Sequence, residues 1–109
     1  MPLTARVTQD SDRCIVALDG ELDICSAPCL LAAVDEALAG ERRNLLVEAT
    51  GLTFCDSHGL EALLQAQREV TDAGGTMELA HLHDRVRRLL ELTGLTRAFT
   101  ITPKRSKDP

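Results

Sequence analysis

Apolar residues in this chain switch repeatedly between helical and extended spacing, and that alternation restricts its fold more than any other feature. Leu30, Leu31, Val34 and Leu38 form the stripe of a helix buried on one side, predicted over about 27–39 with Ser26 as N-cap, Pro28 in the first turn and Gly40 as its end. Asn44-Leu45-Leu46-Val47-Glu48-Ala49 has three aliphatic residues in a row, as in a strand covered on at least one face, and Thr50-Gly51 is expected to break it. Helical spacing resumes at Leu60 through Leu63, Leu64, Gln67 and Val70, and stops at Gly74-Gly75. Thr76 to Leu82 alternates like a strand, Val86, Leu89 and Leu90 mark a third helix with Gly94 as its C-cap, and Arg97 to Thr102 reads as a short last strand. Upstream, residues 4–9 and 13–18 form a predicted hairpin around Asp10-Ser11-Asp12. The order β-β-α-β-α-β-α-β implies an α/β fold with a largely parallel sheet and an antiparallel edge at its N-terminal side.

A chain of 109 residues suffices for one such unit, expected over 1–102, and the polar, proline-bracketed stretch 103–109 is predicted to be a disordered tail. Hydrophobic residues make up 44% but aromatics only 2%, so the core must be aliphatic and little is left to stack on a base. With 12 Lys and Arg against 17 Asp and Glu, the formal charge of −5 opposes the phosphate neutralisation on which nucleic-acid binding depends. No apolar run reaches the roughly 18 residues of a membrane helix, and MPLTARVTQD is unlike a secretory peptide, so a cytoplasmic protein with no membrane or nucleic-acid partner is expected.

Cys14, Cys25, Cys29 and Cys55 lack the C-x₂-C spacing of a structural zinc site, and an aliphatic core needs no disulfide staples. Reduced, mostly buried thiols are expected, with Cys25 and Cys29 packing inward beside the first helix. His81 and His83, near a strand end, are expected to face solvent. Neither G-x-x-x-x-G-K nor G-x-G-x-x-G occurs, so the sequence offers no nucleotide cradle, metal set or other cofactor site.

The stretch FCDSHGL, residues 54–60, lies between the buried strand and the second helix. Asp56, Ser57 and His58 are the residue types of a hydrolase triad, but neighbouring side chains diverge and the G-x-S-x-G frame is absent. The alternatives are a helix cap, worth about 1 kcal/mol, and a serine that is itself modified, since a phosphate at a helix N-terminus meets free N–H donors and the positive end of the dipole.

GELD at 20–23, LLVEATGLTF at 45–54, DSHGL at 56–60, GG at 74–75 and VRRLLELTGL at 86–95 together resemble the STAS-domain anti-sigma factor antagonists over roughly residues 4–101. That resemblance implies a STAS-type fold: a small mixed β-sheet of about four to five strands with helices packed mainly on one side. It implies a partner switch rather than an enzyme. The unphosphorylated antagonist binds an anti-sigma factor that is also a serine kinase, a histidine-kinase-like ATPase, and frees the sigma factor; phosphorylation dissolves the complex, and a PP2C-type phosphatase restores binding. Carried over by position, Ser57 is the phosphoacceptor, Asp23 lies near it on the kinase-facing surface, and Asp56, Ser57, His58 and Gly59 complete the partner-binding set, with Gly59 allowing close packing. His58 stands where the family usually has Ser, Thr or Ala; protonated, it would favour the phosphorylated state by opposite charge. The chain is expected to be a monomer or weak dimer. A STAS domain that senses a ligand or scaffolds other proteins, without phosphorylation, is the alternative.

Overall fold

The structure is a computed structural model that describes residues 2–102. The hairpin forms between β1 (Thr4–Asp10) and β2 (Arg13–Leu22), followed by α1 (Ala27–Leu38), β3 (Asn44–Cys55), α2 (Ser57–Asp72), β4 (Thr76–Ala80), α3 (Asp84–Leu92), a 3₁₀ turn (Thr96–Ala98) and β5 (Thr100–Ile101). The strands lie side by side in chain order, with β1 antiparallel to β2 and every later pair parallel. The expected STAS-type architecture is thus present with five strands, the last reduced to two residues by the 3₁₀ turn before it. The stretch 103–109, read as a disordered tail, lies outside the described residues.

Three parallel crossovers step across the sheet in one direction, so right-handed connections put α1, α2 and α3 on the same face. Register makes that face apolar: Val7, Val16, Val47, Leu79 and Ile101 line up across all five strands. They meet Leu30 and Val34 of α1, Leu63, Ala66 and Val70 of α2, and Val86 and Leu90 of α3 in a single aliphatic core. The neighbouring row, Thr8, Ile15, Leu46, Glu78 and Thr100, faces the other way and has no helix over it. Strand alternation thereby separates a covered face from an open one.

Two strands run further than sequence spacing indicates. β2 continues through Asp19-Gly20-Glu21 to Leu22, and β3 passes through Thr50-Gly51 to Cys55 instead of breaking there. Both extensions depend on pairing: Asp19 is opposite Gly51, and Leu22 opposite Cys55, with register shifts that absorb the irregularity. Glycine suits position 51 at this crossing because a Cβ would overlap the Asp19 carboxylate and stand 2.7 Å from the backbone oxygen of Leu18, which cannot turn aside. The extra length carries the ends of β2 and β3 to the same edge of the molecule, so the loops that follow them are neighbours.

Candidate functional site

Those two loops, Asp23–Ser26 and Asp56–Gly59, follow the carboxyl ends of adjacent parallel strands, the edge at which open α/β sheets commonly bind ligands. The backbone N–H of Asp56 donates to Leu22 O at 3.3 Å, fixing one loop against the other.

The loop before α1 is tied by Asp23. Its Oδ1 accepts from the N–H groups of Cys25 (3.0 Å) and Ser26 (3.1 Å), and Ser26 Oγ accepts from the Asp23 N–H at 2.9 Å while donating to Glu21 O at 2.8 Å. Sequence spacing gives Ser26 the capping role; the Asp23 carboxylate takes it, because residues 24–26 already turn helically and Ala27 N–H reaches Asp23 O. Ile24 is thrown outward and remains 63% exposed.

The loop before α2 is capped by Asp56, whose Oδ1 accepts from the Gly59 N–H at 2.9 Å. Gly59 is buried, and a Cβ on it would stand 2.5 Å from Leu22 O and 2.8 Å from Cys55 Sγ, so α2 begins in direct contact with the end of β2. Cys55 is buried too. Burial, reinforced by the Asp56 charge, pushes its thiol pKa up to about 12 and keeps it protonated.

Ser57 occupies the first position of α2 with its side chain exposed, and its hydroxyl makes no hydrogen bond among the described residues. The N–H groups of Ser57 and His58 precede the first intrahelical acceptor and point out of the helix end. Since Asp56 is engaged with Gly59 and His58 lines a groove with Ile24, Ala27, Leu31 and Glu61, these three polar residues form no relay. The arrangement presents a hydroxyl to an outside reagent and supplies no base of its own.

The cysteines divide differently from expectation. Cys14 and Cys55 are buried, but Cys29 is half-buried and Cys25 exposed, because Cys25 lies in the turn before α1 rather than on its inner face. Among the described residues no group of three or more His, Cys, Asp or Glu side chains could hold a metal ion, and no helix is long and apolar enough to cross a membrane. His81 and His83 are exposed as expected, yet bonded: His81 Nδ1 lies 2.6 Å from Glu48 Oε2, and His83 Nε2 lies 2.6 Å from Thr50 O.

Sequence reasoning did not single out the apolar side chains left exposed beside the residues that flank the serine in sequence. Ile24 shares a groove with His58; Phe54, 38% exposed, and Leu92, 77% exposed, share another with Cys55, and these three are the large hydrophobics left exposed among the described residues. The signal available was the run Arg85, Arg88, Leu89 and Leu92, a second helical stripe on α3 beside the buried Val86 and Leu90.

A five-stranded mixed sheet with helices on one face and an exposed serine at the entrance of the helix after its central strand defines a STAS-type domain. The family described as "Mlab, STAS domain" matches residues 5–103. The chain is 30% identical over 104 residues to the anti-sigma-B factor antagonist of Bacillus subtilis (strain 168), covering 95% of this chain and 94% of that protein. It is 32% identical over 90 residues to the anti-sigma F factor antagonist of Paenibacillus polymyxa, covering 82% and 74%. The crystal structure of an anti-sigma factor antagonist from Mycobacterium paratuberculosis superposes with a TM-score of 0.81 at 25% identity, over 94% of this chain and 86% of that one. The chain belongs to the STAS-domain family of anti-sigma factor antagonists.

Proposed function

We propose that this protein is itself an anti-sigma factor antagonist, and that Ser57 is the switch. In its unphosphorylated form it binds, in the cytoplasm, an anti-sigma factor that is also a serine kinase of the histidine-kinase-like ATPase class, and the sigma factor is released. In the reverse step Ser57 Oγ attacks the γ-phosphorus of ATP held by that partner. The Oγ–P bond forms, the bond to the β-phosphate oxygen breaks, ADP leaves, and the hydroxyl proton passes to a base on the kinase. A PP2C-type phosphatase hydrolyses the phosphoserine and resets the switch.

The observation that carries this reading is the Ser57 hydroxyl, exposed and unbonded on the first turn of a helix whose cap is a different residue. Because Asp56 rather than Ser57 caps the helix through the Gly59 N–H, a phosphoryl group on Ser57 would not need to break that cap. It would gain the open N–H groups of Ser57 and His58 while adding about −1.5 to −2 charges beside Asp56. Asp23, in the neighbouring loop, and His58, next to the serine in sequence, would complete the partner-facing surface, and Gly59 holds α2 against the end of β2. A partner fitted to a neutral hydroxyl meets a doubly charged group of larger radius and is displaced.

Incubation with ATP and the cognate anti-sigma kinase, followed by phosphopeptide mass spectrometry, tests the assignment. The expected result is one phosphate, on the peptide containing Ser57, absent from Ser57→Ala. Phosphate located elsewhere, or none incorporated, would overturn it.

A further inference from the structure

The surface on the α3 side of Ser57 has an unusual composition. Phe54, Cys55 and Leu89 form the floor of a groove of about 280 Å³, and Arg85, Arg88 and Leu92 form its outer wall. Arg85, Arg88, Leu89 and Leu92 are spaced so that they share one face of α3, while Val86 and Leu90 turn into the core. α3 therefore has two stripes: the first is buried, and of the second only Leu89 packs against the core, leaving Arg85, Arg88 and Leu92 exposed. Leaving Leu92 77% exposed and Phe54 38% exposed side by side keeps apolar surface in water that neither helix nor sheet covers.

Charge indicates what covers it. The molecule carries a formal −5, yet α3 sets Arg85, Arg87 and Arg88 against Asp84 and Glu91 and so is slightly basic, with Arg85 and Arg88 on the stripe that lines the groove. Neither Arg85 nor Arg88 has an acidic or hydrogen-bonding partner among the described residues. Two unpaired guanidinium groups at i, i+3 along an apolar trough suit carboxylates, which they can grip in a bidentate fork, flanking an apolar anchor.

We infer that the α3 groove is a docking site for an acidic segment of the anti-sigma partner, with an apolar side chain of that segment seated between Phe54 and Leu92 and its carboxylates on Arg85 and Arg88. This rests on the function proposed above and adds a second contact beside the serine. The groove begins at Phe54 and Cys55, directly before the α2 entrance, so one partner surface can cover both. The serine would report phosphorylation state, and the groove would supply affinity and choice of partner.

The test measures binding of the purified anti-sigma factor to the wild type, to Arg85→Glu/Arg88→Glu and to Leu92→Ala, at low and high NaCl. All changed residues are exposed or on the rim, so circular dichroism should confirm unchanged folding. The double reversal is expected to weaken binding by about tenfold or more, chiefly by slowing association, and to flatten the salt dependence that the wild type shows. Leu92→Ala is expected to weaken binding several-fold with the salt dependence retained. If the wild type binds and both variants match it, the groove is not the docking site. If instead the variants alter only self-association, measured by sedimentation, the occupant is a second copy and the inference is overturned. Failure of the wild type itself to bind would defeat the functional reading and this inference together.

Discussion

At Gly59 the first turn of α2 crosses the end of β2 at a distance that leaves no room for a methyl group, since a Cβ would lie 2.5 Å from Leu22 O and 2.8 Å from Cys55 Sγ. The nearest obstacle is backbone in a paired strand, so it cannot be displaced by a rotamer change. Gly59→Ala should destabilise the fold by about 2 kcal/mol, as overpacking of a closed interior does. Ser57→Ala, two residues earlier and exposed, should stay within about 0.5 kcal/mol of wild type. Urea denaturation of the pair checks this, and equal midpoints would mean that the crossing is looser than described. The contrast also separates the roles inside DSHG: Asp56 caps, Gly59 permits contact, and Ser57 is left free for chemistry.

Between β3, β4 and α3, polar side chains fasten the loop that leads into α3. Glu48 on the open face of β3 accepts from Thr50 through both its backbone N–H, at 2.8 Å, and its hydroxyl, and meets His81 at 2.6 Å. His81 reaches it from a left-handed backbone conformation with φ of 61°. Burial alone would raise the Glu48 pKa, but the Thr50 hydrogen bonds and the His81 contact outweigh it and hold the carboxyl below its usual value of 4.5. A carboxylate whose folded pKa is depressed contributes stability that is present above the unfolded value and disappears as pH falls through the folded one. Glu48→Gln should therefore be less stable than wild type at neutral pH, with the difference narrowing as pH drops below about 4.5. Thermal unfolding across that range measures it, and a gap that stays constant down to strongly acidic pH would rule out the ionised form as the source.

None of this latch was legible in the sequence, because Glu48 and His81 are brought together only by the parallel pairing of β3 with β4. Helix stripes, glycine stops and the β/α alternation were legible, since each depends on neighbours a few residues away. Thr50-Gly51 misleads for the same reason. Glycine weakens a strand locally, yet here it is the residue that lets β3 pass the Asp19 side chain and carry on to Cys55. The hydroxyl at Ser57 could be placed at a helix entrance from spacing alone, whereas the exposure of Ile24, Phe54 and Leu92 depends on where strand ends and α3 meet in space.

Taken as a whole, the molecule puts its stability and its recognition on different surfaces. One sheet face and three helices hold the aliphatic core, and the edge formed by the ends of β2 and β3 holds the exposed Ser57, the switch proposed above. Under the proposed switch at Ser57, regulation would need no change of fold, only a change of charge at one point of a preformed surface, and the affected quantity would be affinity for the partner. The most direct measurement is the affinity of the anti-sigma factor for the wild type, for Ser57→Ala and for enzymatically phosphorylated protein, at fixed ionic strength. The wild type and Ser57→Ala should bind within about twofold of each other, whereas the phosphorylated form should bind at least about 100-fold more weakly, corresponding to roughly 2.7 kcal/mol. Equal affinity of the phosphorylated and unphosphorylated proteins would contradict the switch at Ser57.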